Sequence, residues 1–186
     1  MGRSDSTSFA TLGLPSRDHV GMSVGMGSDL QFQHVPAGAG EAAALVAAMV
    51  AEMRDLYDGL DIEAENMPKA GAAELGPPGG TYLVGYRDGR PVCGGGIKRL
   101  PDGACEIKRM YVVPEERGRG LAKALLQALE DAARGLGYQV ARLDTGARQP
   151  HAQRMYEAAG YRPVANFNGN PVATYFGEKR LVDGRG

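Results

Sequence analysis

Two stretches of this chain carry residue types at spacings suited to chemistry. The first is Pro-Glu-Glu-Arg-Gly-Arg-Gly at 114–120, followed by an apolar run at helical spacing. Gly118 and Gly120 lack Cβ atoms, so the backbone there can curl and come close to a ligand. The N–H groups of about residues 117–122 would then converge, and no carbonyl within a helix accepts from its first four. The helix dipole adds partial positive charge, and Arg117 and Arg119 add full charges. Such a loop suits a phosphate or pyrophosphate. No Lys-Ser or Lys-Thr follows, which excludes a Walker loop, and Lys123 stands where a dinucleotide fingerprint has its third glycine. The loop alone does not separate this reading from a plain helix start with solvent-facing arginines. The second stretch, 55–65, holds Asp55, Asp58, Asp61, Glu63 and Glu65 and no base. It is either an acidic rim that attracts a cationic amine or a solvated loop.

These groups need elements to hold them. "DLQFQHV" (29–35) alternates weakly and predicts a first strand. In 40–60, Leu45, Met49, Met53 and Leu56 at helical spacing predict a helix ending near Gly59. Residues 61–80 read as irregular, with room for a short helix around 68–75. "TYLVGYR" (81–87) and "PVCGGGIKRL" (91–100) flank Asp88-Gly89, a hairpin signal, and "ACEIKRMYVV" (104–113) continues an antiparallel meander. Leu121, Ala124, Leu125, Ala128, Leu129, Ala132 and Leu136 then form one helical stripe. "YQVARLDT" (138–145) predicts a strand joined to 104–113 by a right-handed parallel crossover. Residues 150–160 begin with Pro and end with Gly, as a helix does, and 174–182 reads as a closing strand. The layout is mixed α/β, one sheet of six or seven strands with helices on its faces.

The 186 residues suit a single domain, expected over 29–186 behind an N-terminal arm, 1–28, rich in Gly and Ser. Gly2 and Ser6 match a short lipidation pattern, but a flexible or loosely docked arm is the expectation. A net charge of -1 gives no general reason for binding nucleic acid or an anionic membrane. No apolar run approaches the roughly 20 residues that span a bilayer. Cys93 and Cys105 lack metal-ligand spacing and His19, His34 and His151 are scattered, so no metal site is expected. Free thiols in a reducing cytoplasmic setting fit this cysteine usage.

"RMYVVPEERGRGLAKALL" followed by "HAQRMYEAAGY" resembles the GNAT family of N-acetyltransferases, over roughly residues 30–182. The family's first signature falls on Arg117, Gly120 and Ala122, and its second on Tyr156, Glu157, Gly160 and Tyr161. The resemblance implies the GNAT acyltransferase fold: a single mixed sheet, helices on both faces, and a central parallel pair, 104–113 and 138–145, that splays apart around acetyl-CoA. It assigns the pantetheine arm to the backbone around Met110, Tyr111 and Val112, with the Met110 N–H at the thioester carbonyl. It assigns the pyrophosphate to the backbone of Arg117, Gly118, Arg119, Gly120, Leu121 and Ala122. Tyr156 matches the family's general acid. Gln149 stands where many members place an Asn against the coenzyme, so the amide is kept on a longer arm. Glu106 occupies the register of a catalytic Glu in histone-type members and is the candidate base, directly or through water. By strand alternation Glu106, Lys108 and Met110 would share a face, with Lys108 able to neutralise Glu106 and Arg109 pointing away. The acceptor would meet Tyr57, Asp58, Asp61, Glu63, Glu65, Asn166, Asn168, Asn170 and Tyr175, and Arg109 or Arg99 could take a substrate carboxylate. The implied function is acetyl transfer from acetyl-CoA to a small-molecule primary amine, by direct attack in a ternary complex without a metal. Protein or peptide N-acetylation and a catalytically silent acyl-CoA-binding module are the alternatives. Homodimers are common in the family, and the sequence fixes no interface.

Overall fold

The computed structural model describes residues 30–181, and the arm expected over 1–28 lies outside the described residues. Where the sequence alternates or carries β-branched and aromatic residues it forms strands. Where apolar side chains recur every three or four residues it forms helices. The elements run β1 (Gln31–Val35), α1 (Gly40–Leu56), β2 (Thr81–Arg87), β3 (Arg90–Arg99), β4 (Cys105–Val112), α2 (Leu121–Gly135), β5 (Val140–Gly146), α3 (Pro150–Ala158), β6 (Arg162–Pro163) and β7 (Ala173–Arg180). A 3-10 turn at Pro114–Glu116 lies between β4 and α2. The strands form one sheet in the order β1-β2-β3-β4-β5-β7-β6. Among the described residues only β4 and β5 pair in parallel; every other neighbour is antiparallel. The expected mixed sheet is therefore present, with the two-residue β6 as an edge strand that the sequence did not announce. Residues 68–75 form turns rather than a regular helix, with one helix-like bond from the Leu75 N–H to the Gly71 carbonyl.

Each face of the sheet has its own core. Leu83, Ile97, Cys105 and Ile107 pack with Leu125, Leu126 and Leu129 of α2 and Tyr156 of α3. Tyr82, Val84 and Tyr111 pack with Ala42, Leu45 and Met49 of α1 on the other face. Successive residues of β2 thus serve opposite layers, as a pleated strand requires. Among the described residues no helix is long and apolar enough to cross a membrane.

Two local features open the sheet at its centre. β4 and β5 pair only at Cys105↔Ala141 and Glu106↔Arg142, so beyond Glu106 the two strands part. β4 also carries a bulge. Gly94 opposes Tyr111 and Gly96 opposes Lys108, leaving Gly95 facing both Arg109 and Met110. Arg109 adopts φ 58°, outside the strand region. The extra residue resets the pleat. Met110 packs with the α2 layer and Tyr111 with the α1 layer, whereas unbroken alternation would have exchanged them. Hence the expected shared face of Glu106, Lys108 and Met110 is corrected. Met110 lies on the opposite face from Glu106 and Lys108, and Arg109 reaches the same cleft as Lys108.

Candidate active site

The gap between β4 and β5 continues into a cleft of about 530 Å³. Its walls come from α1 and the segment after it, β4, the 114–120 loop, the start of α2, β5 and α3. At one end stands the glycine loop. Gly118 and Gly120 have φ 74° and 79°, and a Cβ at either would meet no protein atom within 4 Å. Backbone conformation and free space, not packing, therefore call for glycine there. Gly120 caps α2 without any side-chain hydrogen bond, and the first turn of α2 carries no acid. The amides of 118–122 find no acceptor among the described residues, while the Arg117 amide is taken by the Pro114 carbonyl at 3.3 Å. Arg117 is occupied through its side chain as well. Its guanidinium donates to the Val112 carbonyl at 2.9 Å, pairs with Glu52 at 2.6 Å, and lies over the Tyr111 ring. Glu116 accepts from Arg87 and Arg119, which leaves Arg119 largely exposed and outside the cleft wall. The loop's backbone thus offers an anion site, and its arginine side chains mainly brace the loop.

Midway along the cleft lie Met110, Tyr111 and Val112 on one wall and Gln149, Ala152, Met155 and Tyr156 on the other. The Tyr156 hydroxyl points at Met110 Sδ, 3.8 Å away, and its ring meets Tyr161 edge-on. Burial pushes the Tyr156 phenol well above its ordinary pKa, with nearby Asp144 adding to the rise, so it stays a proton donor. Gln149 accepts from the Thr145 hydroxyl at 3.2 Å while facing the cleft.

At the other end the strands are bridged by charge. Lys108 Nζ sits 2.8 and 2.9 Å from the two Asp144 oxygens and 3.0 Å from Glu106 Oε1. Asn168 donates to Glu106 at 2.6 Å and to Asp144 at 2.7 Å, and Asn170 donates to Asp144 at 3.0 Å. Burial pushes the Asp144 carboxyl up, but the Lys108 ammonium and the two amide donors outweigh it and hold the group below the usual carboxylate range. Lys108, Asp144 and Asn170 line the cleft; Glu106 does not, being fully buried behind them with Lys98 on its far side. Asp144 is the lining carboxylate on β5, the other lining acids being Glu52 of α1 and Glu116 of the loop, and sequence reasoning passed over it. It belongs to "RLDT" on β5, and only its pairing with Lys108, distant in sequence, distinguishes it.

The other expected acceptor residues scatter. Asp58 pairs with Arg148 at 2.5 Å, Tyr175 is buried against the Tyr161 carbonyl, and Arg99 lies outside the cleft wall. The 55–65 acids do not line the cleft; that segment and the residues after it contribute Ile62, Met67, Pro68 and Ala70.

A splayed parallel pair, a helix-start anion loop and a buried tyrosine facing the gap together define an acyl-CoA-dependent acyltransferase. Comparison with known proteins gives the particular family. Residues 46–161 match the Acetyltransferase (GNAT) family. The uncharacterised N-acetyltransferase YjgM of Escherichia coli K12 is 37% identical over 90 residues, a match spanning 47% of this chain and 54% of that protein. An IAA acetyltransferase of Azospirillum brasilense is 31% identical over 134 residues, 70% of this chain and 87% of its own length. The solved structure of a candidate acyl-CoA N-acyltransferase from Klebsiella pneumoniae shares 29% identity and superposes with a TM-score of 0.66, covering 83% of this chain and 99% of that one. The chain belongs to the GNAT acetyltransferase family, whose members are acetyl-CoA-dependent acyltransferases.

Proposed function

We propose that the protein moves the acetyl group of acetyl-CoA to a primary amine of a small molecule. The observation that carries this reading is the single cleft, with an anion loop at one end, a protonated tyrosine at its middle and a bridged carboxylate at the other. The amides of 118–122 hold the pyrophosphate, and the pantetheine arm runs along Met110–Val112. The Met110 N–H meets the thioester carbonyl and stabilises the oxyanion formed as the amine attacks. The amine attacks in its neutral form. When the tetrahedral centre collapses the carbon–sulfur bond breaks, and Tyr156 gives its proton to the departing sulfur. The proton shed by the amine nitrogen restores the Tyr156 phenol, leaving amide and free thiol. Asp144 orients the incoming amine. Glu106, behind the cleft wall, holds Lys108 and Asn168 in place and influences proton transfer only through them. The segment after α1 lines the cleft with Ile62, Met67 and Pro68, and this apolar wall favours a small molecule over a protein chain.

The test is acetyl-CoA turnover against a panel of primary amines, read as free coenzyme A thiol. At least one amine should release thiol. Tyr156→Phe should lower kcat with that amine by on the order of 100-fold while leaving acetyl-CoA affinity comparatively unchanged. Tight acetyl-CoA binding with no release for any amine would replace this reading with the regulatory-module one.

A further inference from the structure

We propose that Arg109 anchors a carboxylate of the acceptor, so that the substrate class is a small amine that also carries a carboxylate. The inference rests on the amine-acetylation reading above and narrows it.

Arg109 is the extra residue of the β4 bulge, at φ 58°. The other described non-glycine residues with positive φ, Asp58 and Asp88, belong to a residue type that tolerates this region, whereas a long side chain such as Arg seldom adopts it. Strain of this kind persists where the surroundings enforce it, and it often marks a site. Its effect here is positional, because it sets Arg109 on the cleft wall immediately before Met110.

The guanidinium has no counter-ion there. Its Nε donates to the Ala70 carbonyl at 3.3 Å, and no carboxylate oxygen among the described residues lies within 4.0 Å. The other buried cation of the cleft, Lys108, is committed to Asp144 and Glu106, and Arg117 is committed to Glu52. Glu63 and Asp144 act on Arg109 only from a distance. Burial pulls its pKa down, a sign that the charge is poorly solvated. A half-buried guanidinium on a cleft wall, whose terminal N–H groups have no acceptor among the described residues, is matched by a planar anion that accepts two parallel hydrogen bonds. Ile62 and Met67, which line the same cleft, would cover the apolar part of such a ligand. Because the Asp144 charge is already balanced by Lys108, although its Oδ1 can still accept from an amine, the unmet charge at this end is positive, contrary to the acidic rim read from residues 55–65.

The experiment uses matched pairs: phenylalanine with 2-phenylethylamine, leucine with 3-methylbutylamine, and 6-aminohexanoate with hexylamine. For at least one pair the carboxylate-bearing amine should have a kcat/KM higher by roughly 10- to 100-fold. Arg109→Asn, chosen because Asn tolerates positive φ, should bring that ratio close to one, and Arg109→Lys should leave an intermediate ratio. In parallel, hexanoate and 3-phenylpropionate binding to the coenzyme A complex is measured by calorimetry. Binding that is lost in Arg109→Asn supports the anchor even if no amine turns over, a result that would sink the amine reading alone. Turnover of amines without a carboxylate preference would overturn the anchor and leave amine acetylation standing. Failure of both carboxylates to bind with no preference in any pair, or a preference that survives Arg109→Asn, would also overturn it. If Arg109→Asn fails to fold, the ratio in Arg109→Lys carries the test, and a wild-type protein with neither a preference nor carboxylate binding overturns the anchor without any variant.

Discussion

Glu106 and Asp144 share Lys108 and Asn168, yet their surroundings give them different work. Glu106 is wholly enclosed. Lys98 and Lys108 approach at 3.1 and 3.0 Å, and the cost of burying one carboxylate is offset by two ammonium groups. Asp144 lies at the boundary, with one side on the cleft and every oxygen already accepting. Its folded-state pKa is below the ordinary 3.8, which fixes the sign of its linkage to stability. In the window between the two values the unfolded chain binds more protons than the folded one, so stability rises with pH. The Asp144 contribution is thus complete above the unfolded value and is lost as pH falls through the folded one. Denaturant unfolding followed from pH 6 downward should show a decline below about pH 4 that is shallower in Asp144→Asn. The same variant should be less stable than wild type at pH 6, since Lys108 loses a partner. Parallel pH profiles for the two proteins would mean that the Lys108–Asp144 bridge contributes nothing to the folded state.

At the level of elements, most of the architecture could be read from periodicity. The strand 81–87, the helix ending before Gly137 and the Pro-to-Gly span of α3 all stand where the local signals put them. These signals are local, because turn residues and apolar spacing act within a few residues. The glycine loop was legible for the same reason, since positive φ at Gly118 and Gly120 is a property of those residues. The bulge was not. Alternation assumes an unbroken pleat, and one inserted residue exchanges the faces of everything after it. The one trace of it in the sequence is the run Gly94-Gly95-Gly96 on the partner strand. A Cβ at Gly95 would come 2.9 Å from Leu129 Cδ1 and 3.2 Å from Met110 Cγ, so glycine is what lets Met110 cross over β3. Gly95→Ala should therefore push Met110 out of place. The expected cost is about 1–3 kcal/mol of stability. A several-fold weaker affinity for acetyl-CoA should accompany it, because the Met110 backbone moves with the side chain. Denaturation and coenzyme titration check the two effects together, and a variant with wild-type values for both would break the link between the bulge and the coenzyme wall.

For the whole molecule, the central sheet also decides what the two thiols can do. Cys93 lies on β3 and Cys105 on β4, and both are fully buried free thiols. Burial pushes each to about 12, so almost none of either is thiolate near neutral pH. Access adds a second barrier, since a reagent reaches β3 and β4 only if the layers of α1 or α2 lift away. Their labelling should then follow opening of the sheet rather than the chemistry of an exposed thiol. With an aromatic disulfide reagent the native protein should show no labelling over the minutes of an assay, and denaturant should reveal both thiols. The free-thiol signal in the acetyl-transfer experiment would then come from coenzyme A alone. Rapid labelling of one thiol in the folded protein would show that the centre of the sheet opens on that timescale. The cleft between β4 and β5 would then be a moving gap, and the distances that place Arg109, Tyr156 and Asp144 along it would describe only one of its states.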